Sequence, residues 1–216
     1  MKSKIILPRV YLLTYKTRYE LCMSFVRMQE FYESPKFKGK WFSLEDFMDY
    51  WSLKHGEGSF TYPIVWNGFN LPSEAFNNWC DMFQDSRRPR ENIIIEKIDK
   101  LRTSDFAKNK VKYTEKYYII AAHEEKGDDK LEHIINHEVA HAIYYLYPEY
   151  KNSCDELLKK ISKKDYNNDK KTLLDMGYSK SVINDELQAY YSDINGVLNS
   201  NVDFIENLND FKKKIS

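Results

Sequence analysis

A chain of 216 residues, 42% hydrophobic and 31% charged, with 17 Tyr, 12 Phe and 4 Trp, can bury a core, which excludes a disordered or low-complexity protein. Lys plus Arg and Asp plus Glu both count 33, so no net field draws the chain to nucleic acid or to an anionic membrane surface, and neither is expected as a partner. Cys22, Cys80 and Cys154 are far apart and odd in number, so no disulfide framework or thiolate zinc knuckle is expected; with no secretion segment and no membrane-length apolar run, a reduced, cytoplasmic setting fits.

Val10 to Tyr15 reads as a buried strand, after a terminal run that Pro8 and Arg9 split. Thr17 to Glu33 follows as a helix with the stripe Cys22, Phe25, Val26 and Gln29. Ser43 stands as N-cap of a second helix to Lys54, closed by Gly56 and Gly58. The aromatic segment from Phe60 to Phe69 is expected as a strand broken at Pro63, and Pro72-Ser73 opens a helical stretch towards Phe83. Asp85 to Arg90 is the most turn-like stretch of the first half; its Arg87, Arg88 and Arg90 suit a solvated turn better than a phosphate grip in a neutral protein. A helix from Glu91 to Arg102 comes next. Tyr117 to Ala122 is then a strand, followed by a polar turn from His123 to Asp129 and a long helix to Tyr147 that Pro148 closes. Beyond it, helices are expected over Glu149 to Ser162, Asp169 to Met176 with Gly177 as stop, Ser181 to Leu198, and Asp203 to Lys213. The whole is α+β and a single domain, with residues 1–105 as an N-terminal lobe and 106–216 as the part that carries chemistry.

That chemistry lies in His137-Glu138-Val139-Ala140-His141, the pattern His-Glu-x-x-His. Four residues make about one helical turn, so both imidazoles leave one face roughly 6 Å apart and can chelate a single ion. Zinc accepts neutral imidazole nitrogens, and a catalytic zinc keeps one position open for water. Glu138 sits about 100° around the helix from His137, beside the ion and not on it, which suits a general base. Leu131, Ile135, Val139, Ala142 and Leu146 gather opposite the two histidines, so one side can pack while the other lines a cleft.

The residues HEVAH resemble the zinc-binding helix of the zincin metallopeptidases, and the resemblance extends to the strand before this helix and to a later helix. It implies a zincin-like fold, a small mixed sheet packed on a mostly helical C-terminal half. The metzincin branch would demand Gly at 144 and His at 147; Tyr144 and Tyr147 stand there, and no histidine follows His141. The chain is therefore similar to the gluzincins, whose third ligand is a carboxylate from a downstream helix. Glu149 is only about 12 Å further along the axis and cannot easily fold back, Glu156 misses the apolar stripe of its helix, and Glu206 lies in a lysine-ended tail. Glu186 flanks the stripe Ile183, Leu187, Tyr190, Ile194 and Val197 and is the expected ligand, with Asp185 and Asp193 as rivals. Asp185-Glu186-Leu187-Gln188-Ala189-Tyr190 also resembles the glutamate-bearing helix of small gluzincins. Where thermolysin-like enzymes place an Asp one turn after the ligand, Tyr190 stands here, so Asp193 is the candidate for orienting a ligand histidine.

The resemblance implies a zinc metallopeptidase acting on a peptide or protein substrate, with Zn2+ held by His137, His141 and Glu186 and with Glu138 as base. Tyr190 stands beside Glu138 as a catalytic candidate because its hydroxyl can stabilise an oxyanion, a role for which Tyr144 also stands in range. His133, one turn before His137, fits a cleft or supporting role, since three successive turns cannot converge on one tetrahedral ion. His123 reads as a solvated turn residue. The strand from Tyr117 to Ala122 is either an edge that pairs with an extended substrate or an interior strand. Two other functions use the same residues: a non-catalytic interaction protein on a zincin scaffold, and a zinc hydrolase of a non-peptide amide.

Overall fold

The computed structural model describes residues 1–124, 131–176, 178, 180–193 and 197–216, and the chain divides into two compact units, Met1–Leu131 and Glu132–Ser216. The first unit is built on a four-stranded sheet in the order β1 (Lys2–Leu7), β2 (Val10–Tyr15), β4 (Tyr118–His123), β3 (Gly68–Pro72). The sheet is mixed: β1 pairs antiparallel with β2, β2 parallel with β4, and β4 antiparallel with β3. The architecture is thus α+β.

The terminal strand β1 was not expected, and its cause is local. Pro8 and Arg9 form a tight hairpin turn instead of merely breaking the run, with Arg9 at φ 68° as the second central residue, the pattern of a type II turn. The amide of Arg9 donates to the buried carboxylate of Asp105 at 2.8 Å, which holds a conformation unfavourable for a side chain other than glycine. The segment from Phe60 to Phe69 corrects another expectation. Pro63 lies in the first turn of the short helix α3 (Tyr62–Val65), where its missing N–H costs nothing, and only Gly68–Pro72 is strand, at the sheet edge.

Two helices of this unit begin at side-chain caps, Ser43 as read from the sequence and Thr17 one residue outside the helix it was expected to open. The hydroxyl of Thr17 accepts from the amide of Glu20 ahead of α1 (Arg18–Glu33), and Ser43 with Asp46 makes a reciprocal capping box on α2 (Leu44–Lys54). Helices α4 (Ser73–Met82) and α5 (Pro89–Asn109) follow; α5 runs well past Arg102. Alternate residues Tyr11, Leu13, Ile119, Ala121, Phe69 and Leu71 place one face of the sheet in a core with Leu21, Phe25, Phe47, Trp79 and Ile98. Inside that core Arg27 donates to both oxygens of Glu91, at 2.8 and 2.5 Å, and to the carbonyl of Ser86. Glu91 also accepts from the amide of Arg88, so one carboxylate neutralises a buried guanidinium and caps α5. Arg87 and Arg88 donate to the carbonyls of Cys80 and Met23, in keeping with a turn.

The strand β4, grouped by the sequence reading with the downstream helices, belongs by its pairing to the first unit. It lies between β2 and β3, so it is an interior strand and not an edge. His123 ends it and is buried, not a solvated turn residue.

The second unit is helical among its described residues: α6 (Leu131–Leu146), α7 (Pro148–Lys160), α8 (Lys163–Asp175), α9 (Ile183–Tyr191) and α10 (Val202–Ile215). α7, α9 and α10 pack on one another through Tyr150, Leu158, Leu187, Phe204, Leu208 and Phe211, and α8 packs on α9. α8 starts earlier than expected, capped by Ser162, whose hydroxyl accepts from the amide of Asp165. α9 is shorter than the expected span to Leu198. The hydroxyl of Ser192 bonds back to the carbonyl of Gln188, the helix ends there, and Val197 is 64% exposed rather than part of a buried stripe. Gly177 and Ile194 lie outside the described residues. Among the described residues, no helix is long and apolar enough to cross a membrane.

Candidate metal centre

α6 and α9 of the second unit position the site. α6 presents His133, His137 and His141 at one-turn intervals, and the inner two are the more enclosed, with side chains 15% and 5% exposed against 39% for His133. α9 brings Asp185 and Glu186 in its first turn, where the positive end of the helix dipole favours carboxylates. Gathered by tertiary structure, His137, His141 and Glu186 offer one ligand atom each, all within 4.8 Å of one another. Among the described residues this is the one such group of His, Cys, Asp and Glu side chains. Glu149, Glu156 and Glu206 are exposed, as the elimination among downstream glutamates requires.

The separations test whether a metal fits. Two nitrogens at about 2.0–2.1 Å from a tetrahedral ion stand roughly 3.3–3.4 Å apart. The Nε2 atoms of His137 and His141 are 3.2 Å apart, close to that separation, with the ring planes crossing at 78°. Oε2 of Glu186 lies 3.7 Å from His141 Nε2 and 4.0 Å from His137 Nε2, a few tenths of an ångström longer than that ideal and within reach of a small side-chain rotation. The donor set, two imidazoles and one carboxylate, is one that zinc accepts. The residues fit the ion.

Electrostatics agree with the geometry. Burial, together with the charge of His141, pushes His137 down to about 3, so its ring is neutral and keeps a lone pair. Burial also acts to lower His141, but the carboxylates of Asp185 and Glu186 outweigh it and raise the ring to about 10. Acidic groups gathered around the two imidazoles thus favour positive charge at this place.

Asp185 performs a task that the sequence reading assigned to Asp193. Its Oδ1 accepts from Nδ1 of His141 at 2.8 Å, which aims Nε2 at the cluster. Asp193 instead stands 3.7 Å from His133, so neither joins the three-residue group. The signal for Asp185 was its adjacency to Glu186: two carboxylates in one helical turn beside a buried histidine pair give one for the ion and one for a ligand ring.

Glu138 is half-buried, and its charge contributes to the raising of His141, Tyr178 and Tyr190. Tyr190 packs its ring edge-on against His137, centroids 4.7 Å apart, and its hydroxyl is 3.1 Å from that of Tyr178. Tyr178 was not singled out in the sequence; it arrives through the end of α8, where its amide bonds to the carbonyl of Leu173 five residues back. The hydroxyl of Tyr144 donates to Asp155 at 3.1 Å.

Comparison with known proteins gives no significant match: no family model matches the chain, nor does any curated protein or solved structure.

Proposed function

We propose that the protein is a zinc-dependent metallopeptidase, with a gluzincin-like set of residues on a zincin-like fold. One observation carries the reading: His137, His141 and Glu186 converge from two helices at separations suited to a single small cation, with Glu138 in the same helical turn as the two histidines. Bound zinc would supply a Lewis acid that acidifies water and polarises the substrate carbonyl. Glu138 is the proton carrier. Its carboxylate takes a proton from water as the oxygen attacks the carbonyl carbon, and delivers it to the amine nitrogen as the carbon–nitrogen bond breaks. Asp185 keeps the ring of His141 in one orientation throughout. Tyr190 donates its hydroxyl proton in a hydrogen bond to the carbonyl oxygen as that oxygen gains charge. The substrate is a peptide or protein.

The test is metal content per chain, by elemental mass spectrometry on tag-free protein, for wild type, His137→Ala and Glu186→Ala. About one zinc in wild type and none in either variant is expected. A wild type that takes up no zinc overturns the reading. Zinc-loaded wild type is then set against a peptide library with Glu138→Gln, which retains the metal and loses cleavage.

A further inference from the structure

Behind Asp185 lies a side chain that the mechanism above does not use. Gln188 is fully buried on α9, where an amide without partners would be strongly unfavourable. Every observed partner is specific. Its Nε2 donates to Oδ1 of Asp185 at 3.0 Å, the same oxygen that accepts from His141 Nδ1 at 2.8 Å. Its Oε1 accepts from the hydroxyl of Tyr150 at 3.2 Å and faces the thiol of Cys154 at 3.9 Å. The orientation of the amide is therefore chemically determined: turned over, it would set its own oxygen against the Asp185 carboxylate. Tyr150, fully buried on α7, holds the far end.

Asp185 needs such a hold because its side chain is 32% exposed, open enough to turn towards water. With Gln188 in place, Oδ1 receives two N–H donors that fix where it stands, and the His141 ring follows. We propose that Gln188, locked by Tyr150, is a positioning residue that fixes Asp185 and through it His141, and so sets the affinity of the site for zinc. This inference rests on the metal reading above and on no step of catalysis.

The experiment titrates zinc into wild type, Gln188→Met, Tyr150→Phe and the double variant, in competition with a chromophoric chelator, and measures the unfolding temperature of each with and without zinc. Methionine keeps the length of glutamine and removes both hydrogen bonds. Expected are a loss of affinity of about tenfold for Gln188→Met, a smaller loss of about threefold for Tyr150→Phe, and a double variant no weaker than Gln188→Met, because both changes break one chain of contacts. A purely structural amide would lower the unfolding temperature equally with and without zinc and leave affinity alone; a positioning residue shrinks the rise that zinc produces. Affinity unchanged in Gln188→Met, or additive losses in the double variant, overturns the inference while the metal site stands. If Gln188→Met does not fold, Tyr150→Phe decides, and unchanged affinity there overturns it. Wild type without zinc uptake overturns the metal reading and this inference together.

Discussion

Removing the Asp185 carboxylate should weaken metal binding without touching a ligand atom. The His141 ring is 5% exposed and Asp185 32%, with 2.8 Å between Nδ1 and Oδ1. With zinc bound, the carboxylate would accept the Nδ1 proton and make the ligand nitrogen more basic, and losing a partner of that kind costs roughly 10–100-fold in affinity, about 1.4–2.8 kcal/mol. Asp185→Asn keeps an acceptor for the Nδ1 proton and loses the charge, so it belongs near tenfold; Asp185→Ala loses both and belongs near a hundredfold. Competition against a chromophoric chelator at constant neutral pH reads both, with circular dichroism as the check on folding. An alanine variant that is folded and within about twofold of wild type, or an asparagine variant weaker than the alanine, would refute the orienting role.

Other consequences are open to direct measurement. Arg27 and Glu91 have side chains 3% and 1% exposed, so Arg27→Met or Glu91→Gln alone should cost about 3–5 kcal/mol in urea unfolding, while the double variant recovers a large part of that; singles costing under ~1 kcal/mol would contradict a dry ion pair. Burial pushes Glu30 up to about 7, against the pull of the Tyr62 and Ser34 hydroxyls. Its folded value lies above its unfolded one, so the neutral carboxyl is favoured, and stability is whole below about 4.5 and is lost as pH rises through about 7. Glu30→Gln should therefore match wild type at low pH and exceed it on the alkaline side by something on the order of 3 kcal/mol; equal denaturation midpoints on the alkaline side would defeat this. His133→Ala should leave zinc stoichiometry intact, since His133 lies outside the three-residue group, and loss of zinc in that variant would redraw the ligand set.

Elements announced by short-range chemistry were legible without the fold. α2 spans Leu44–Lys54 as read, because the Ser43–Asp46 capping box and the glycines after Lys54, Gly56 and Gly58, act within a few residues. Errors fell where one residue type serves two geometries. Pro8 ended a run on paper yet turned a hairpin in the protein, and Pro63 read as a break in a strand but sits in the first turn of a helix. Whether β4 is an edge or an interior strand was open, because a run of apolar residues says that a strand is buried and not which strands flank it.

Within the candidate site the same division holds. The pairing of His137 with His141, and the place of Glu138 beside them, follow from the pitch of one helix and need nothing else. The candidate third ligand is a different matter, since α9 is brought to α6 across a sequence separation of 44 from His141 to Asp185. Adjacent residues on a helix point about 100° apart, so the wheel kept Asp185, Glu186 and Asp193 in competition. The rotation of α9 against α6 decided among them. It turned Glu186 to the histidine pair, Asp185 to the back of His141 and Gln188 to the back of Asp185. The sequence by itself determines which residues can bind; packing between helices determines which of them meet, because only the buried faces of both helices together set that angle.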